Sequence, residues 1–252
     1  MTPHTASINP PRPGHDPVTG SVPGTPPAPN DRSGPRGSTW RVPAALVALS
    51  VIPLIAGSLR LLDVAGGPQL IAANPRIDAA PAPVVVHILA AAGYAVLGAL
   101  QFSARLRRRY PTWHRRSGRV LVAAGLLVAG SGLWMTLFYT AAPGGVLLWT
   151  VRVLVGSAMA ASIVLGVTAI RRRDIAAHRA WMIRAYALAV GAGTQTLTQG
   201  IGEGIFGTSD LSTALSLGSA WVINAAVAEW VIRRRGTRRA RRARTRTAVV
   251  GS

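Results

Sequence analysis

RRRYPTWHRRSGR, residues 107–119, and RRRDIAAHRAWMIR, residues 171–184, are the stretches whose reading decides the fold. Each opens on three arginines, runs four residues to a His-Arg pair and leads into an apolar segment. A shift of 64 positions lays Arg107 on Arg171, His114 on His178 and Arg115 on Arg179. Charge this dense is costly in hydrocarbon. Both stretches therefore read as basic turns, and the apolar segments around them as helices that cross a bilayer.

Composition supports a membrane class. The chain of 252 residues is 49% hydrophobic yet carries a formal charge of +20, a pairing rare in a soluble domain. Strong basicity first suggests nucleic acid, whose binders spread charge over a folded, water-facing surface. Here the arginines fall between apolar runs and at the C-terminus, which is how membrane proteins distribute them. The partner implied is the lipid bilayer and not a nucleic acid. With no cysteine present, the sequence excludes disulfides, thiolate metal sites and a cysteine nucleophile.

Taken in order, residues 1–39 are rich in Pro, Gly, Ser and Thr and read as a disordered cytoplasmic tail, which holds His4 and His15. Residues 40–232 form a six-helix transmembrane domain, and residues 233–252 an Arg-rich cytoplasmic tail, RRRGTRRARRARTR onward. The six spans are expected at about 42–62, 84–103, 120–139, 146–170, 181–201 and 213–232, each near the length that a bilayer core of roughly 30 Å requires. Arg41, both basic turns and Arg233 then share one face, and Arg76 alone among arginines lies in the loops of the other. The positive-inside rule puts both termini in the cytoplasm of a multi-pass cell-membrane protein. Trp40, Trp113, Trp181 and Trp230 fall at the inner boundary and Trp149 at the outer, where indoles concentrate. The fold class expected is all-α, a six-span bundle built on a parallel repeat of two helical hairpins.

Polar residues inside spans mark two places where chemistry could occur. Gln195, Gln199 and Glu203 recur every four residues on one face of the fifth span. His87 lies about one turn into span two and Arg152 about two turns into span four, at similar depth. Together these five are expected to line a polar pocket in the outer half, or to form a satisfied polar plug, with Arg152 pairing Glu203, Asp63 or Asp78. At the inner side, His114, Arg115, His178 and Arg179 stand at helix starts, where unpaired N–H groups favour anions. They would hold phosphates of anionic lipids. Alternatively, His114 and His178 could be axial ligands of one haem b, with Arg115 and Arg179 on its propionates. Glu229 should pair with Arg119 or Arg184. Ala91, Ala95 and Ala99, and likewise Ala158, Ser162 and Gly166, form small-residue stripes that let helices approach closely, within the chain or between chains. The sequence has no P-loop, zinc-protease motif or nucleophile elbow, and the glycines of GAGTQ fall inside an apolar span.

At His87, Gly98-x-x-Gln101-Phe102, His114-Arg115-x-x-Gly118-Arg119 and His178-Arg179-x-Trp181-Met182-x-Arg184, the chain resembles the bacterial membrane proteins grouped as domain of unknown function 2306. The likeness covers roughly residues 87–201 and implies a multi-helix integral membrane protein with no established activity. Where that family often has an arginine after a Thr-Leu step, Thr196-Leu197 is followed by Thr198, so no charge carries over. The HRxxGR opening of span three is also similar to haem-binding ferric-reductase-type domains, although their deeper paired histidines are missing. The expected role is non-catalytic (transport, sensing or membrane-complex assembly), with no cofactor or metal. The alternative is a haem b electron-transfer protein.

Overall fold

A computed structural model describes residues 40–140 and 143–250, apart from the side chains of Arg235 and residues 238–250. The expected tail at 1–39 lies outside the described residues. Among those described, every regular element is a helix. Five helical stretches are long and apolar enough to cross a membrane: α1 (Arg41–Val64), α3 (Pro81–Gln101), α5 (Pro111–Phe138), α6 (Gly145–Arg171) and Asp210–Arg234 of α9. Between them lie α2 (Pro75–Ala79), α4 (Ala104–Arg109), α7 (Ile175–Ala189) and α8 (Gly191–Phe206).

Local chemistry sets the helix starts. Proline opens α2, α3 and α5, where its fixed φ suits the first turn and its missing N–H costs nothing. Ser103 caps α4 by accepting from the Leu106 amide at 3.3 Å, and Asp174 caps α7 by accepting from the Ala177 amide at 2.9 Å. In the second basic turn Arg173 adopts the left-handed region, with φ 62°, to close off α6. In the turn between α5 and α6, Gly144, with φ 93°, precedes α6 and its amide donates to Asp210 Oδ1 at 3.0 Å. That bond ties the α5–α6 turn to the start of α9.

The core lies among α3, α5, α6 and α7. Tyr94, Leu121, Val128, Met159, Ile163 and Tyr186 are buried in it. The Tyr186 hydroxyl donates to the Ala95 carbonyl at 2.7 Å, and its ring packs on Phe102 at 5.0 Å. Outward-facing Val51, Leu89, Leu127, Leu154 and Val222 are exposed on the bundle surface. An apolar perimeter of this extent suits hydrocarbon rather than water. The small-residue stripes are seams within the chain in part. Ala99, Ser162 and Gly166 are buried, and a β-carbon on Gly166 would strike Met182 of α7; Ala158 is exposed.

One expectation needs correction. The fifth span is not one helix: α7 ends at Ala189 and α8 begins at Gly191, with Val190 between them. The break is held by α9, where Asn224 Nδ2 donates to the Ala187 carbonyl at 3.1 Å and Trp221 Nε1 to the Leu188 carbonyl at 3.2 Å. Thr194 Oγ1 closes the clamp from α8 by donating to Asn224 Oδ1 at 2.9 Å. Broken helices persist at membrane depth when neighbouring side chains serve the freed backbone groups in this way. Gly193 is required here because α8 starts against α1, and a β-carbon would meet the Leu49 carbonyl oxygen. Hence GAGTQ opens a helix rather than lying inside one. The arginine-rich end continues α9 as helix to Val250. Its arginines and alanines are strong helix formers, and Gly236 is too weak a breaker to stop them.

Candidate functional site: an arginine-lined cavity

A cavity of about 390 Å³ opens among α2, α3, α5, α6, α7, α8 and α9, at the end of the bundle where α2 lies. Its polar lining includes Arg76, His87, Tyr139, Arg152 and Gln195. Each is placed by a separate element. Arg76 lies in α2 and its Nε donates to Asn74 Oδ1 at 3.1 Å. Tyr139 ends α5 and its hydroxyl donates to the Ala80 carbonyl at 2.6 Å, closing α5 onto the start of α3. Burial raises the Tyr139 hydroxyl above its usual pKa, while the nearby Arg76 charge pulls the other way.

His87 faces α5 and lies 3.0 Å from Ser131 Oγ through its Nδ1. The Ser131 hydroxyl also lies 2.5 Å from the Leu127 carbonyl, so it links His87 to the backbone of α5. Gln195 Nε2 donates to the Leu217 carbonyl at 3.2 Å, which fixes its amide across from α9.

The decisive feature is charge. Two arginines, Arg76 and Arg152, line this cavity, and no aspartate or glutamate lines it among the described residues. Arg152 makes no ion pair with Glu203, Asp63 or Asp78, contrary to expectation. Asp63 is taken by Arg60 at 2.7 Å, and Glu203 accepts from Gln199 Nε2 at 2.7 Å. Gln199 and Glu203 share a helix face with Gln195 but lie outside the cavity lining. The α7–α8 break adds little field of its own. The negative end of α7 and the positive end of α8 meet at Val190 and largely cancel.

At the opposite end, His114 and His178 come within electrostatic range of each other, while Arg115 and Arg179 are exposed. His178 Nδ1 lies 2.8 Å from the Gly166 carbonyl, an acceptor only, and so donates to it. His114 Nδ1 is buried without a partner, as is Gln101 Oε1, although Gln101 Nε2 donates to Ser117 Oγ at 2.7 Å. No group of three or more potential metal-ligating His, Cys, Asp or Glu residues occurs among the described residues. Close by, Glu229 accepts a two-pronged bond from Arg184, at 2.5 Å from Nε and 3.1 Å from Nη2. Of the two partners expected for Glu229, it takes Arg184.

Sequence reasoning missed Arg76, Tyr139 and Trp221 as cavity walls. Arg76 had a signal, as the lone arginine in the loops of its face. Trp221 and Asn224 had another, being hydrogen-bonding side chains within an apolar span that must find partners.

Apolar helices, a lipid-like perimeter and ionisable residues turned inward define a polytopic membrane protein. Residues 84–232 match the family described as "Predicted membrane protein (DUF2306)", and the chain belongs to that family. Neither the curated proteins nor the solved structures include a match to it.

Proposed function

We propose that this protein is a non-catalytic binding or transport protein whose cavity takes a small anion, of the carboxylate or phosphate class. The carrying observation is the pair Arg76 and Arg152 lining one hollow without a carboxylate. An unpaired arginine within a span is costly unless water or a ligand anion serves it. The cavity volume also falls within the roughly 300–1,000 Å³ range of ligand sites. In neutral-lipid nanodiscs, butyrate and inorganic phosphate should raise the melting temperature saturably, and butylamine should not. Arg76→Gln and Arg152→Gln should each remove the response. Equal responses to amine and anion would overturn the reading.

The architecture proposed for this role has six crossings, with α7 and α8 together making the fifth. It is supported by helix starts in register: α5 begins at Pro111 and α7 at Ile175, the same 64-residue shift that relates the basic turns. α3 packs on α5 and α6 on α7, as two parallel hairpins would. The arginine-bearing end faces the cytoplasm in this reading, with Arg115, Arg179 and the end of α9 near anionic lipid, and the cavity opens outward. Labelling of a cysteine placed at Thr112 from outside intact cells would invert it.

The haem b alternative draws support from His178. Its Nδ1 is held by a backbone carbonyl, leaving Nε2 free in the manner of a metal-ligating histidine. Against it, the Nδ1 of His114 has no such carbonyl or carboxylate to hold its ring.

A further inference from the structure

The arginine-lined cavity shares a wall with a second hollow. Val155, Leu188 and Trp221 line it and also line a groove of about 590 Å³ between α6 and α9. Leu154 of α6 and Leu215 and Val222 of α9 border that groove, and no charged residue does. Gly218 faces open space, since a β-carbon there would meet nothing within 4 Å. A charged chamber and an apolar slot therefore meet at the Trp221 indole, whose N–H is committed to the Leu188 carbonyl at 3.2 Å. That bond turns the polar edge of the ring to the break, where it packs against Gly191, and the same side chain lines both hollows.

Resting on the anion-binding reading above, we propose that the ligand is a single-chain anionic amphiphile. Its carboxylate or phosphate head would sit between Arg76 and Arg152, and its hydrocarbon chain would pass Trp221 into the α6–α9 groove. Charge complementarity selects the head. Arg152 is the eighth residue of α6, roughly 10 Å along the axis from the helix start at 1.5 Å per residue. An anion bound there lies about two turns inside α6, and its chain leaves at the level of Val151, Leu154 and Val155, which line the groove.

The test uses the full chain in phosphatidylcholine nanodiscs with hexadecanoate carrying a diazirine at its chain end. The probe is held at one mole fraction of lipid, so partition into the bilayer is the same for every variant. Photolabel should concentrate on α6 and α9 peptides that border the groove. It should fall about tenfold or more in Arg152→Gln, which removes a charged hydrogen bond to the head. Gly218→Trp, which fills the slot, should abolish it, and the methyl ester of the same probe should not label the groove. Butyrate reads the chamber separately: its thermal shift should survive Gly218→Trp, with Gly218→Leu substituting if the larger residue prevents folding.

Groove labelling that persists in Arg152→Gln, or that the ester matches, would overturn the proposal, because bilayer hydrocarbon would then fill the slot unaided. Label spread over all outward-facing helices, or cross-linking of two copies through α9, would also overturn it. In both cases an intact butyrate response would leave the anion site standing. Loss of the butyrate response from the unmodified protein would instead remove the anion reading, and this proposal with it.

Discussion

Replacing Asn224 by leucine removes the clamp on the break between α7 and α8 while roughly keeping side-chain volume. Two hydrogen bonds disappear, from Asn224 Nδ2 to the Ala187 carbonyl at 3.1 Å and from Thr194 Oγ1 to Asn224 Oδ1 at 2.9 Å. Side-chain hydrogen bonds between membrane helices contribute about 0.6 kcal/mol on average and up to about 1.7 kcal/mol. The pair together gives about 1–3 kcal/mol, or roughly a fivefold to hundredfold loss in the folded-to-unfolded ratio. Mixed-micelle denaturant titration measures that loss, and amide exchange over residues 187–194 should rise with it. Thr194→Val alone should cost less, since Asn224 keeps its bond to Ala187. The double variant should cost less than the sum, because both substitutions remove the same Thr194–Asn224 bond. Asn224→Leu with wild-type stability and unchanged exchange would refute a clamped break and restore a single continuous fifth span.

Three further outcomes follow from the packing and polar contacts. Gly193→Ala should destabilise by about 1–3 kcal/mol, the cost of overpacking, because its β-carbon meets the Leu49 carbonyl oxygen. Gly200→Ala, with nothing within 4 Å, should be neutral or stabilising in the same unfolding assay. For Arg184 and Glu229, a double-mutant cycle with leucine and glutamine should give a coupling of about 0.2–1 kcal/mol, since both side chains are about one-third exposed. Arg184→Lys should recover only part of it, because an ammonium cannot reproduce the two-pronged bond. Protein purified from haem-replete cells should show no Soret band; a band lost in both His114→Ala and His178→Ala would make haem b the better reading.

The all-helical membrane class was legible because long apolar runs separated by arginine clusters answer to the bilayer, and five such helices are present among the described residues. His87 and Arg152 were matched in depth by the repeat, and the structure places both in one cavity. What the sequence could not show were directions set by packing between helices. Gln195, Gln199 and Glu203 share a face at four-residue spacing, but periodicity does not say how far along that face a cavity extends. Glu203 turns back to Gln199 within its own helix instead. Arg76 looked like an isolated loop charge because only the folded position of α2 brings it over the cavity. The break at Val190 was hidden for a related reason. Gly191, Ala192 and Gly193 read as ordinary small residues of a membrane helix, while the groups that stabilise the break lie about 30 residues away on α9.

The account depends most on an unpaired guanidinium at Arg152 recruiting an anion. Calorimetric titration of butyrate into nanodiscs bearing Arg152, Arg152→Lys or Arg152→Gln tests it most directly. The predicted result is a graded series: lysine retains binding with reduced affinity, and glutamine loses about 1.5–3 kcal/mol, the usual value of a hydrogen bond to a charged group. Equal affinity in all three proteins, or none in the first, would contradict it.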